Sequence, residues 1–296
     1  MENSRKEGSK MAKSLIVYFS QGGTTAKVAE SIATGLRREG YQVDLHSIKE
    51  KQQPDLSGYD LLGIGSPVYF YRPPFTVTDY LNSLPDLGGL STFTFVLHGT
   101  YRFDTGKSIR RVLSRKGAQN MGYFHCHGAD FWLGYLKEGY LFSPDHPTPA
   151  ELSLAEDFGS QVAGRVAGKP YSLPEEDRPP TLVYRLERFF MNRWFIEQVY
   201  SRMFKVDKKS CNACGLCMKM CPRANISEDK DGYPVWGRNC ILCLTCELKC
   251  PKDAITTPVS WPLIRPFMIY NVRHASRDPS LDHVRVTHSK GSTRRI

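Results

Sequence analysis

From residue 13 to residue 168 the chain alternates between short apolar runs and segments whose apolar residues recur at helical spacing. The runs KSLIVYFS, YQVDLHSI, YDLLGIGS, TFTFVLHGT and GYFHCHGADFWL read as strands buried on both faces. Between and after them, TAKVAESIATGLRREG, PFTVTDYLNSL, GKSIRRVLSRKG and PAELSLAEDFGSQVAGRVAG carry the period of amphipathic helices. Strands alternating with helices in this way predict an α/β unit with a doubly wound parallel sheet. A ligand of such a sheet binds beyond the carboxyl ends of the strands, near the point where the strand order reverses.

The residues expected at those ends are therefore the first candidates for chemistry. After the first run come Ser20, Gln21, Gly22, Gly23, Thr24 and Thr25, where hydroxyls and turn amides at a helix N-terminus suit a phosphate without any lysine. This loop is neither the G-x-x-x-x-G-K-[ST] of nucleotide hydrolases nor G-x-G-x-x-G. After the third run come Ser66, Pro67, Val68, Tyr69 and Phe70, and after the fourth Gly99, Thr100 and Tyr101. Backbone groups and aromatic faces on two such loops suit a flat heteroaromatic ring. Tyr69, Tyr101 and His98 are the available proton donors near these ends.

The periodic pattern stops before residue 204, and the chemistry changes with it. Eight of the nine cysteines fall in two blocks reading C-x2-C-x2-C-x3-C-P: Cys211, Cys214, Cys217 and Cys221, then Cys240, Cys243, Cys246 and Cys250. Paired C-x-x-C units also hold zinc, but zinc needs neither a third cysteine at this interval nor the proline, so the pattern points to iron and sulfide. Three thiolates of each block face one cube and the fourth completes the other. That gives Cys211, Cys214, Cys217 and Cys250 to one [4Fe–4S] cluster and Cys240, Cys243, Cys246 and Cys221 to the second.

On these residues, 204–256 resemble the two-cluster bacterial ferredoxins, whose members pass single electrons. The joining segment RANISEDKDGYPVWGRN supplies a turn and the short strand YPVW that such an α+β arrangement requires. Residues 12–170, with their strand order, phosphate loop and aromatic second loop, resemble the flavodoxin family. The whole chain is similar to bacterial proteins that fuse the two. The resemblance implies a five-stranded sheet of order 2-1-3-4-5, bound FMN, phosphate in the first loop and ring contacts from the second and third. Flavodoxins usually show [ST]-x-[ST]-G-N-[ST]; here Gly22 stands for the middle hydroxyl and Thr24 for the asparagine.

Other segments read more plainly. SLPEEDRPP is the expected linker within residues 171–203, and the stripe of Leu182, Leu186, Phe189, Phe190, Ile196, Val199, Tyr200 and Met203 that follows is expected to pack between the two units; the alternative is a membrane interface. His125 and His127 share one face of a strand and Cys126 the other, which favours a buried thiol over a metal site. Lys107, Arg110 and Arg111 read as the solvated face of a helix.

The formal charge of +10 adds little to this. Residues 1–170 are nearly balanced, and residues 257–296 carry 7 Lys/Arg against 2 Asp/Glu, which reads as a basic, weakly ordered tail. No nucleic-acid motif accompanies it. The polar start MENSRKEGSKMAK is no secretory signal and no apolar run is long enough to span a membrane, so a cytoplasmic chain with reduced cysteines is expected.

Three functions remain. The first is electron transfer between two [4Fe–4S] clusters and FMN, with a separate redox protein as donor or acceptor. The second is an FMN-dependent reductase of a small organic acceptor fed by the clusters. The third, from another class, is an iron–sulfur sensor or binding protein with an empty flavodoxin-like fold.

Overall fold

The structure, a computed structural model, describes residues 11–50, 52–175 and 181–296. The first unit runs β1 (Lys13–Tyr18), α1 (Thr24–Arg38), β2 (Gln42–Ser47), β3 (Leu61–Pro67), α2 (Phe75–Ser83), β4 (Ser91–His98), α3 (Thr105–Arg115), β5 (Gln119–His127), α4 (Leu133–Lys137), β6 (Tyr140–Phe142) and α5 (Pro149–Val166). β1 to β5 form one sheet of order β2-β1-β3-β4-β5, and every pairing in it is parallel. This is the predicted architecture.

Residue size sets the two layers around the sheet. On one face, Ile16, Phe93 and Phe95 pack with Val28, Ile32 and Leu36 of α1 and with Phe158 and Val162 of α5. These two helices touch through glycines: a Cβ on Gly35 would stand 1.9 Å from the Glu156 carbonyl oxygen, and one on Gly159 2.2 Å from that of Ile32. On the other face, Leu15, Val17, Leu62 and Val96 pack with Val77, Leu81, Ile109 and Leu113 of α2 and α3. That core runs on without a break into Ile241, Leu244 and Leu248 of the cysteine-rich unit.

The fifth apolar run does not continue as a strand to Leu133. The Asp130 side chain accepts from the Trp132 amide at 3.0 Å and turns the chain, so Leu133 opens α4. Cys126 is buried against the α1 and α5 layer as expected, while His125 and His127 face the other way, their rings 5.7 and 4.4 Å from that of His98. Lys107 and Arg111 are exposed, and the Arg110 guanidinium lies over the Tyr123 ring at 4.3 Å.

Of the expected linker, residues 176–180 lie outside the described residues, as do residues 1–10 of the polar start. The aromatic segment then forms α6 (Leu182–Phe190) and α7 (Arg193–Gln198), broken where Asn192 caps α7 by accepting from the Phe195 amide. The stripe expected to pack between the units does so only in part. Ile196 is buried and Tyr200 and Met203 are half-buried, whereas Leu182, Leu186, Phe189, Phe190 and Val199 remain exposed.

The second unit contains β7 (Lys205–Val206), α8 (Leu216–Lys219), β8 (Ile226–Glu228), β9 (Pro234–Trp236), α9 (Thr245–Leu248) and β10 (Ile255–Thr256). β7 pairs with β10 and β8 with β9, both antiparallel, so the two cysteine blocks sit in a duplicated arrangement. It is fastened to the first unit by the Lys137–Glu247 ion pair and by Arg223 to Asp79 at 2.9 Å.

The C-terminal stretch departs from the expectation of a weakly ordered tail. α10 (Arg265–Ala275) is followed by β11 (His283–Ser289) and β12 (Ser292–Arg295), and β11 pairs with β6 of the first unit to give a sheet of order β12-β11-β6. The polar composition conceals an inward set of Leu281, Val284 and Val286, and Lys290-Gly291, both at positive φ, close the hairpin.

Candidate functional site

A cavity of about 400 Å³ opens beyond the carboxyl ends of the sheet strands, a size common for cofactor sites. Its wall contains Gln21, Gly22, Thr24 and Thr25 after β1, Pro67, Val68, Tyr69 and Phe70 after β3, and Gly99, Thr100 and Tyr101 after β4. Three residues of the predicted set are not on the wall. Ser20 accepts from the Ala26 amide at 3.3 Å and so anchors the start of α1; Gly23 supplies the left-handed turn into that helix at φ 91; Ser66 is buried and donates to the Pro67 carbonyl.

The first loop has room for an anion. Nothing lies within 4 Å of a Cβ built on Gly22 or Gly23, and the first-turn amides of α1 have no intrahelical acceptor. Thr24 and Thr25 add hydroxyls at the same helix end. The second loop is held by a tight turn: Tyr69 and Arg72 exchange backbone bonds of 2.9 and 3.1 Å, with Phe70 at φ 50 and Tyr71 at φ 62. Two non-glycine residues in the left-handed region cost roughly 1–3 kcal/mol each. That strain is sustained by packing, since Phe70 meets Trp132 edge-on at 4.9 Å and Tyr71 stacks on Phe103 at 4.4 Å.

Gln21, read in sequence as part of a phosphate loop, instead joins the two units. Its Nε2 donates to Thr245 Oγ1 at 2.5 Å and to Cys243 Sγ at 3.4 Å, while its Oε1 accepts from the Tyr69 hydroxyl at 2.7 Å. Cys243, Thr245 and Lys249 themselves stand on the cavity wall. One cysteine of the second block is therefore shared between the large cavity and its own cysteine set.

Sequence reasoning missed several wall residues, of which Asp130 and Glu187 matter most. Burial pushes the Asp130 carboxyl up to about 6, against the lowering effect of the Trp132 amide. Burial likewise raises Glu187, which accepts from Asn271 at 2.8 Å and from the Tyr71 hydroxyl at 3.2 Å. The expected donors behave differently from one another. Tyr101 donates to Asp278 at 2.9 Å and is thus engaged by the C-terminal stretch; His98 is held neutral by burial and by neighbouring His127; Tyr69 is kept protonated by burial. Asp130 lies 29 positions beyond Tyr101, inside the fifth apolar run, where only the turn it makes marks it.

The eight cysteines gather around two small cavities. Cys211, Cys214, Cys217 and Cys250 line one small cavity, with Cys246 also on its wall; Cys221, Cys240, Cys243 and Cys246 line another. The backbone repeats between blocks. Ala213 and Leu242 donate amides to Cys211 and Cys240, at 3.4 and 3.2 Å, and Asn225 and Ala254 to Cys221 and Cys250, at 3.3 and 3.4 Å. Positive φ recurs at equivalent places, Ala213 with Leu242, Gly215 with Leu244, and Ala224 with Asp253. A backbone strained in this way aims amides at sulfur, the arrangement that stabilises charge on thiolates. Burial pushes the Cys240 thiol up to about 12 and raises Cys246 well above the ordinary thiol value, so these sulfurs ionise only beside strong positive charge such as a metal centre. The donor set thus fits iron–sulfur groups. Cys214 is exposed, so the first set lies nearer solvent and the second nearer the large cavity.

Comparison with known proteins follows the same division. A family model described as a flavodoxin domain matches residues 15–135, and one described as a 4Fe-4S dicluster domain matches residues 210–255. The uncharacterized protein MJ0298 of Methanocaldococcus jannaschii is 28% identical over 154 residues, covering 51% of this chain and 97% of that protein. Flavodoxin 1 of Salmonella typhimurium is 27% identical over 131 residues, covering 41% and 72%. Among solved structures, a flavodoxin from the domain Archaea superposes with a TM-score of 0.44 at 18% identity, covering 52% of this chain and 99% of that one.

Proposed function

We propose that this chain, in which a flavodoxin domain is joined to a 4Fe-4S dicluster domain, passes electrons between its two clusters and FMN held in the large cavity. The domains themselves imply FMN and two [4Fe–4S] clusters and give the chain a redox role. FMN supplies a centre that takes one or two electrons, whereas each cluster takes one.

The chain's residues divide the work. Gly22, Thr24 and Thr25 would hold the phosphate, and Tyr69, Phe70 and Trp132 would flank the ring. Cys211, Cys214, Cys217 and Cys250 would ligate the outer cluster, and Cys221, Cys240, Cys243 and Cys246 the inner one. The observation that carries the reading is Cys243 on the wall of the large cavity, bonded by Gln21 from the first loop. Covalent linkage and this junction keep donor and acceptor at a fixed high effective concentration.

The test is anaerobic: quantify iron and flavin, reduce the clusters rapidly, and follow electron arrival at the flavin. A transfer rate independent of protein concentration is expected. A rate that rises in proportion to protein, or protein that binds no FMN on reconstitution, overturns the reading.

A second reading, reductase activity toward a small organic acceptor, is favoured by Asp130. A cavity carboxyl held near 6 can give a proton at neutral pH. Asp130→Asn should then lose acceptor turnover while leaving the cluster-to-flavin step intact; equal turnover by the variant excludes it.

A further inference from the structure

The exposed side of α6, α7 and α10 is the largest apolar anomaly among the described residues. Leu182, Phe189, Phe190, Trp194, Leu263 and Phe267 are 44% to 80% exposed, on or, for Leu263, just before helices of at most 11 residues. α6 touches both of the other helices. Glu187 of α6 accepts from Asn271 of α10 at 2.8 Å, Tyr184 meets Tyr270 and His274 at 6.4 and 5.6 Å, and Phe189 and Phe190 touch Phe195 of α7 at 6.4 and 5.3 Å. The rings pack on one another at the surface, and apolar surface on this scale marks an interaction site.

Charge says which partner. Residues 182–204 hold four arginines and two acids, and both acids are engaged, Glu187 by Tyr71 and Asn271 and Glu197 by Arg193. Residues 254–277 hold three arginines and no acid. Arg185, Arg202 and Arg273 are exposed and, among the described residues, have no carboxylate partner. Arginine beside exposed Trp, Phe and Leu on short helices is the chemistry of a surface that lies in the headgroup layer of an anionic bilayer. A second copy docking by two-fold symmetry would set these arginines against themselves. No helix among the described residues is long and apolar enough to cross a membrane.

We infer that the α6–α7–α10 face seats the protein on the surface of an anionic lipid bilayer, with the aromatic side chains in the headgroup region and the arginines on lipid phosphate. The inference does not depend on the electron-transfer reading, because binding is measured without turnover.

The experiment is cosedimentation of the full, cofactor-loaded chain with vesicles of phosphatidylcholine and phosphatidylglycerol in equal parts, against phosphatidylcholine alone. Binding to the mixed vesicles at low salt is expected, falling about tenfold or more on pure phosphatidylcholine or on raising salt so that the charges are screened. Phe189→Ser with Phe267→Ser, and separately Arg185→Glu with Arg273→Glu, should each lower it about tenfold or more. Leu154→Ser, an exposed apolar residue on α5, should leave it unchanged. Quenching of Trp194 by brominated lipid, lost in Trp194→Phe, checks the same contact in a chain with an intact apolar face. Absence of binding to mixed vesicles, equal binding by both double variants, or a stable dimer that the double variants dissociate overturns the inference, the last by giving the face to a second copy.

Discussion

Replacing Gln21 by alanine should loosen the junction on which intramolecular transfer depends. Three contacts are lost: Nε2 to Thr245 Oγ1 at 2.5 Å, Nε2 to Cys243 Sγ at 3.4 Å, and the bond from the Tyr69 hydroxyl at 2.7 Å. Two neutral hydrogen bonds contribute about 1 kcal/mol each, and the Tyr69 hydroxyl left in a poorly hydrated wall costs about 1 kcal/mol more, for a total of about 3 kcal/mol. At 2–4 °C per kcal/mol for a unit of this size, the melting midpoint should fall by roughly 6–12 °C. A cycle with Tyr69→Phe isolates the shared bond. The double variant should be about 1 kcal/mol more stable than the sum of the single losses implies, since it removes both partners together. Thermal melts of the four anaerobically prepared proteins supply these values. In parallel, the inner cluster should become harder to reduce, because a hydrogen bond to a ligand sulfur is lost, while the outer cluster keeps its potential. Strict additivity of Gln21→Ala and Tyr69→Phe, or a Gln21→Ala midpoint equal to that of the parent, would refute the assignment of Gln21 as the tie between the units.

Gly35→Ala drives a methyl into the Glu156 carbonyl, where the available space is 1.9 Å, so a loss of at least about 3 kcal/mol or failure to accumulate as soluble protein is expected in expression and denaturation assays. Asp130 titrates near 6 in the folded chain against an ordinary 3.8. Its ionisation therefore opposes folding, with no cost below about 3.8 and the full cost above about 6. The shift corresponds to about 3 kcal/mol, reduced to about 1–2 kcal/mol because the side chain borders an open cavity. Asp130→Asn, which keeps the acceptor for Trp132, should be more stable than the parent by that amount at about pH 8 and equal to it at about pH 4; denaturant melts at the two pH values decide. Cys243→Ser and Cys214→Ser should each halve the bound iron, but only the first should abolish arrival of electrons at the flavin, as read by iron quantification and rapid reduction.

The sheet was legible because its strands are buried on both faces and so appear as unbroken apolar runs, and because the helices between them keep a clear period. The two cysteine blocks were legible because their repeated spacing and the proline after each stand out in the sequence. What escaped was tertiary. Gln21 resembles any polar residue in a glycine loop until Cys243 and Thr245, more than two hundred positions away, are brought to its amide. Asp130 lies inside an apolar run that reads as strand, and a single side-chain bond to the Trp132 amide, not composition, turns the chain there. The terminal hairpin was hidden by its charge: its inward valines alternate with His283, Arg285 and Thr287, and their burial depends on β6, a three-residue strand with no periodic signal of its own. The aromatic stripe calls for a partner, but periodicity cannot say whether that partner belongs to the same molecule.

The pairing of β11 with β6 also bears on how the protein is made. Synthesis proceeds from the N-terminus, so His283, Val284 and Arg285 leave the ribosome after the whole cysteine-rich unit, yet they complete a sheet begun by Tyr140, Leu141 and Phe142. The first unit cannot close that edge until residues 283–285 have been made, by which time the cysteines of both blocks have been synthesised. The second unit is consequently held at both of its ends, by α6 and α7 before it and by the returning strand after it. A gene shortened after residue 256 would not release a finished flavodoxin and an optional ferredoxin; it would leave the first with an open strand edge and the second on a single tether.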